Sequence, residues 1–150
     1  MKKLITSTLF LFSLNVHAIE CPESDKLDLN GFWDKSIEVF LGRVVSSKLI
    51  ESSDPELIEI TIKVKEVFKG NPKAEITTKS YESLSWAGTT VGMNSIYFSD
   101  GKNYIDVCSK ILEINPGEID LEELFVYTDR ADITYAKDIE KVLKLSGKMP

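Results

Sequence analysis

Two thiols, one imidazole and a few carboxylate pairs are the groups in this chain with the means to do chemistry. The thiols are Cys21 and Cys108. In an exported protein an even number of widely separated cysteines reads most simply as one disulfide. Such a bridge would close a loop over most of the domain and contribute about 4 to 5 kcal/mol by chain entropy. The other reading is two free, redox-active thiols, although there is no C-x-x-C and neither cysteine has an activating cation fixed beside it. The sole histidine, His17, lies in a leader-like segment; its loss with that segment removes His-dependent triads, general bases and metal ligands. Glu122 with Glu123, or Ser46 near Lys48, could be drafted into acid-base or nucleophilic roles, but adjacent residues such as Glu122 and Glu123 would point to opposite faces of a strand. Asp28, Asn30, Asp34 and Glu38 miss the D-x-[DN]-x-[DN]-G spacing of a calcium loop, because Lys26 stands where the first acidic ligand belongs. Glu118, Asp120, Glu122 and Glu123 form a charge run of the kind that makes a solvated face. The reading therefore assigns no catalytic residue, no metal set and no cofactor, and expects a protein that is not an enzyme.

Aromatic residues are the candidate binding groups: Tyr81, Trp86, Tyr97 and Tyr104. The stretch from Tyr81 to Gly92 is rich in Ser, Thr and Gly and carries Trp86, a residue type enriched at interaction hot spots. Trp86 could equally plug one open end of a barrel. Tyr97 and Tyr104 flank Asp100-Gly101, a type I′ turn signal, so a hairpin is expected from Met93 to Cys108. That pairing sets Tyr97 against Tyr104, and Ile96, Phe98, Ile105 and Val107 on the other face. Cross-strand aromatics of this kind stabilise a sheet before they serve a ligand.

The compartment follows from the first 18 residues. Lys2 and Lys3 precede an apolar run, and Val16-His17-Ala18 places small residues at the −3 and −1 positions of a cleavage site, the pattern of a secretory signal peptide. The run is too short and too diluted by Thr6, Ser7, Thr8 and Ser13 for a membrane anchor. Processing as a lipoprotein at Cys21 would want a small residue where Glu20 stands. Cleavage removes two of 18 basic residues and none of 24 acidic ones, leaving 16 against 24, a net charge of −8. An acidic surface argues against nucleic acid and anionic lipid as partners, because both are held chiefly by Lys and Arg. A periplasmic or secreted monomer with no transmembrane segment, binding a protein or a saccharide, is expected. The 132 residues that remain after cleavage are enough for one domain.

The element that must position these groups is the stretch Leu57–Ser80. Ile58, Ile60, Ile62 and Val64 alternate with Glu59, Thr61, Lys63 and Lys65, the pattern of a strand with one buried face. Val67 breaks the alternation, so a β-bulge is expected near Lys65 and Glu66. Lys69, Gly70, Asn71 and Pro72 supply a turn, and a return strand follows from Ala74 to Lys79 with Ile76 and Thr78 on one side. A first strand is expected over Ser36–Leu49, bending at Gly42 round a barrel corner. Leu27 to Lys35 suggests one helical turn in an irregular lead-in. Pro116-Gly117 marks a turn, and Leu121, Leu124 and Phe125 are spaced for a short helix. The clearest helix runs from Asp132, its cap, to Gly147, with Ile133, Ala136, Ile139, Val142 and Leu143 on one stripe to be buried on the sheet.

Five short strands, a bulged first hairpin and a terminal helix suggest a mainly β fold, an OB-like Greek-key five-stranded barrel with a C-terminal α-helix. The barrel core would span about 36–110 and the helix about 132–146 of a single domain at 19–150. The order of Cys21, VFLGRV at Val39 to Val44, ITIKVKEVFKG at Ile60 to Gly70, VG at Val91 and Gly92, IYF at Ile96 to Phe98 and Cys108 also resembles the netrin-like, or TIMP-like, domains of exported bacterial proteins and of tissue inhibitors of metalloproteinases. The resemblance covers about residues 21–110 and implies a binding role, with Cys21 tied to the body of the domain. In the inhibitors an amino-terminal cysteine chelates the protease zinc; the matching position is Cys21, followed by Pro22, and these would be inhibitory only if processing exposed Cys21 as the first residue. The resemblance therefore implies an exported, non-catalytic netrin-like binding module, with a TIMP-like metalloproteinase inhibitor as the second reading.

Overall fold

A computed structural model of the chain describes residues 27–51, 57–81, 89–102, 104–105, 109–116, 119–128 and 135–149. Two long strands, β1 (Glu38–Ile50) and β2 (Leu57–Lys69), form its central antiparallel ribbon. In β2 the alternation holds: Ile58, Ile60 and Ile62 are buried, whereas Glu59 and Lys63 are exposed. The expected bulge is present, because the pairing steps from Leu41 with Glu66 to Gly42 with Val64 and leaves Lys65 as the extra residue. Val67 and Val64 thus stand opposite Phe40 and Gly42 and stay on one face. Two further register shifts, between Val39 and Phe40 and between Val44 and Ser46, bend the same ribbon. The turn after β2 requires glycine: Gly70 has φ +77°, and a Cβ there would lie 2.5 Å from the Ile37 carbonyl oxygen. The return strand β3 (Glu75–Tyr81) follows and pairs with β2.

β4 (Met93–Ser99) pairs antiparallel with β1 on the side away from β2. The Asp100-Gly101 turn is formed, with Gly101 at φ +84° and the Lys102 N–H donating to Asp100 Oδ1 at 3.0 Å. The hairpin expected beyond it is not. β5 (Tyr104–Ile105) crosses to the far edge and pairs in parallel with Lys79 and Ser80 of β3, so Tyr97 and Tyr104 are not cross-strand partners. The strand that pairs with β4 is β6 (Ile111–Pro116), which the sequence reading left without an element.

The sheet order is β5-β3-β2-β1-β4-β6, with β5 and β6 as its two edges. This corrects the expectation of a closed OB-like barrel. Closure needs a ladder between the two edges, and among the described residues none joins β6 to β5 or β3. The two-residue β5 is too short to carry one.

Both faces of the sheet are apolar. On one, Val39, Leu41, Ile96, Phe98 and Leu112 meet three helices. These are α1 (Leu29–Lys35), α2 (Leu121–Thr128) and α3 (Ala136–Leu145). α1 is the expected helical turn, capped by Asp28, whose Oδ1 accepts from the Gly31 N–H at 3.0 Å; that bond lowers the Asp28 pKa. α2 opens on a reciprocal capping box: the Glu123 N–H donates to Asp120 Oδ1 at 3.0 Å and the Asp120 N–H to Glu123 Oε2 at 3.3 Å. The charged run is thereby partly used to start a helix. α3 buries Ala136, Ile139, Val142 and Leu143 of the expected stripe, each large side chain contributing about 1.5 to 3 kcal/mol, while Ile133 lies outside the described residues. It starts after Tyr135, and the expected cap Asp132 lies outside the described residues. Gly147, at φ +68°, ends it, with the Lys148 N–H donating to the Leu143 carbonyl at 3.0 Å. No helix among the described residues is long and apolar enough to cross a membrane.

Candidate binding cleft

The second face of the sheet carries its own apolar cluster: Phe40, Val44, Ile58, Ile60, Ile62 and Tyr97, with Ile76, Ile105 and Ile111 against it. This face bounds a cleft of 670 Å³ that takes at least one lining residue from every strand, among them Phe40, Ile62, Ile76, Tyr97, Ile105 and Ile111, and is also lined by Phe32 and Lys35 of α1. Six strands laid flat would measure roughly 24 Å across at 4.8 Å per step. One cleft can touch all of them only if the sheet curls, and the three shifts in the β1–β2 ribbon supply the bend.

Gly42 sets the depth of the floor. A Cβ on it would lie 2.4 Å from Ile62 Cγ2, 3.2 Å from Phe40 Cε2 and 3.3 Å from Tyr97 Cε2. The expected bend at this glycine is therefore a close approach of three side chains over a bare backbone. Phe40 and Tyr97 stack there, both almost fully buried. Burial raises the Tyr97 pKa well above the usual tyrosine value.

The wall at β3 is polar in its backbone. The Val64 N–H donates to the Ala74 carbonyl at 2.9 Å, and the register places Ile76, Thr78 and Ser80 two, four and six positions further along opposite Ile62, Ile60 and Ile58. Hydrogen-bonded pairs alternate in an antiparallel ladder. Ile76, Thr78 and Ser80 thus bond to β2, while the N–H and C=O groups of Glu75, Thr77 and Lys79 turn to the outer edge. β5 covers that edge only at Lys79 and Ser80. Glu75 and Thr77 have no ladder partner there among the described residues, yet both line the cleft. Thr78 lies in the wall between β2 and the cleft, and its Oγ1 is buried without a hydrogen-bond partner.

Charges stand at the rim. Lys102 pairs with Asp100 at 2.7 Å. Lys110 pairs with Asp138 of α3 at 3.5 Å and lies over the rings of Phe32 and Tyr135, 5.9 and 6.0 Å from their centroids, so it also ties α1 to α3. Among the described residues, no group of three or more His, Cys, Asp or Glu side chains could hold a metal ion.

Of the aromatic candidates, Tyr97 is in the cleft floor. Tyr81 ends β3, and its backbone pairs with Leu57; Tyr104 is in β5. Trp86, Cys21, Pro22 and Cys108 lie outside the described residues, so the Cys21–Cys108 disulfide finds no support in the structure. Ser46 and Lys48 are exposed on the outer part of β1, away from the cleft lining. The sequence reading missed Phe40, Ile62, Ile76, Ile105 and Ile111 as one site. A signal was present in β1, where Val39, Phe40, Leu41 and Val44 put apolar residues on both parities, the mark of a strand covered on both faces.

Compared with known proteins, the chain matches no protein-family model and no curated protein. The resemblance to netrin-like and TIMP-like domains is therefore withdrawn: the short motifs that carried it find no matching family, and the sheet that should have closed into their barrel is open.

Proposed function

We propose that the protein is an exported, non-catalytic binding module that takes its ligand in the cleft on the open face of the sheet. One observation carries this reading: the second apolar face bounds a concave cleft that takes lining residues from all six strands and from Phe32 and Lys35 of α1. Recognition sites are concave and largely apolar, with a few polar groups that fix orientation. The floor of branched aliphatic side chains favours a ligand with apolar groups, and the polar side chains around it, among them Asn71, Thr77, Ser99 and Ser109, would fix its orientation.

The test is titration of isotope-labelled protein with 1-anilinonaphthalene-8-sulfonate as an apolar probe, followed by methyl NMR. Saturable shifts at Ile62, Ile76, Ile105 and Ile111 are expected. Shifts confined to other methyls, or none, would sink the reading. Export has a separate check: the intact mass of protein recovered outside the cytoplasm should begin at Ile19.

A further inference from the structure

We propose that the ligand of the cleft is an extended peptide segment that adds a strand to the edge of β3 at Glu75–Thr78, which no ladder covers among the described residues. The proposal rests on the cleft being the binding site and goes beyond it in naming the occupant. A strand edge offers N–H and C=O groups at every second residue, and only another extended backbone presents the complementary row at the same spacing. The β3 edge does this at Glu75 and Thr77, whose backbones face outward beside the cleft, while the side chains of the intervening Ile76 and Thr78 lie on the face that carries the apolar floor.

The dimensions agree: 670 Å³ accommodates a short extended segment of a few residues. Alternate side chains of such a segment would lie beside Ile76 on the cleft face, on its side away from Ile62, and the others would point to the opposite face. The lysines of the lining are largely matched by carboxylates, Lys102 by Asp100 and Lys110 by Asp138, so the backbone row and not net charge selects the occupant.

The experiment selects binders from a phage-displayed random heptapeptide library and measures the synthetic winners by calorimetry against the whole protein. Apolar residues at every second position are expected. Methylating peptide nitrogens one at a time should weaken binding about tenfold at alternate residues and hardly at those between, the period of a single hydrogen-bonded edge. Thr77→Pro removes one outward N–H, which an edge strand tolerates, and should weaken the same peptides to a similar degree. Because that variant could disturb β3, the methylated peptides carry the test on unaltered protein. Uniform tolerance of methylation, or methyl shifts away from Ile76, would overturn the proposal. If the anilinonaphthalene probe enters the cleft but no peptide is selected, the peptide fails and the binding cleft stands; if neither binds, both fail. A concentration-dependent dimer abolished by Thr77→Pro would replace the peptide with a second copy of the chain and also overturn it.

Discussion

Phe40 of β1 and Tyr97 of β4 are register partners whose rings stack with centroids 5.4 Å apart and planes 24° from parallel. Both are almost fully buried, so the pair joins two strands at the floor of the cleft and takes a phenol hydroxyl out of water. An aromatic pair of this kind adds about 0.5 to 1.5 kcal/mol beyond its burial. Its presence in the cleft floor also makes the region measurable.

Tyr97 should resist ionisation. Burial disfavours the phenolate, so its folded pKa is raised above the unfolded value near 10. The stabilisation linked to this group is complete below about pH 10 and is lost as pH climbs toward the folded pKa, because the unfolded chain releases that proton first. Ultraviolet titration should show one of the five tyrosines failing to titrate until the fold opens. Tyr97→Phe should flatten the alkaline fall in denaturant midpoint. A full complement of tyrosines ionising together in the folded state would contradict the buried hydroxyl.

Gly42→Ala should destabilise the fold by about 1 to 3 kcal/mol, the usual cost of overpacking. The added methyl would meet Ile62 Cγ2 at 2.4 Å and both stacked rings. Trimming Ile62 to Ala in the same chain removes the first of these contacts, so the double variant should lose less than the two single losses combined. Urea titrations of the four proteins in the cycle give the coupling, and strict additivity would show that the approach at Gly42 is not tight.

Thr78→Val replaces a buried hydroxyl that has no partner with a methyl of nearly the same shape. Relief of an unsatisfied polar group is expected to raise stability by about 1 kcal/mol. Thermal unfolding should show a higher midpoint. A fall of similar size would mean that the hydroxyl is bonded in solution.

Ile139 and Leu145 lie on the same helix, but Ile139 is fully buried whereas Leu145 is 40% exposed. Ile139→Ala should therefore cost about 2 to 5 kcal/mol, and Leu145→Ala well under half of that. Comparable losses from the two would mean that α3 is docked on another face.

The legible parts of the fold were those decided within a few residues. β2 showed itself by alternation, and its bulge by the misplaced Val67, because both follow from which side of one strand water is kept from. α3 was readable from its stripe and from Gly147, whose left-handed backbone ends the helix. The turn at Asp100-Gly101 was likewise written in two residues.

What local pattern could not decide was which strand lies beside which. Ile96 and Ile105 were expected on one face of a hairpin, yet Ile96 packs under the helices and Ile105 borders the cleft, since β5 pairs with β3 and β6 takes the place beside β4. A two-residue strand has too little pattern to announce its partner; only the curl of the sheet, which brings the β3 edge within its reach, selects the pairing. The cleft has the same origin. Its floor residues are ordinary strand residues in sequence, and they bound a cleft only because bends in the β1–β2 ribbon turn one apolar face in on itself, with residues of α1 and of the turns added at its margins. The central strands, the terminal helix and their apolar faces are local properties of the chain, because side-chain period and turn chemistry act within a few residues. Strand order and the cleft arise only on folding, because hydrogen bonds between distant strands depend on how the whole sheet bends.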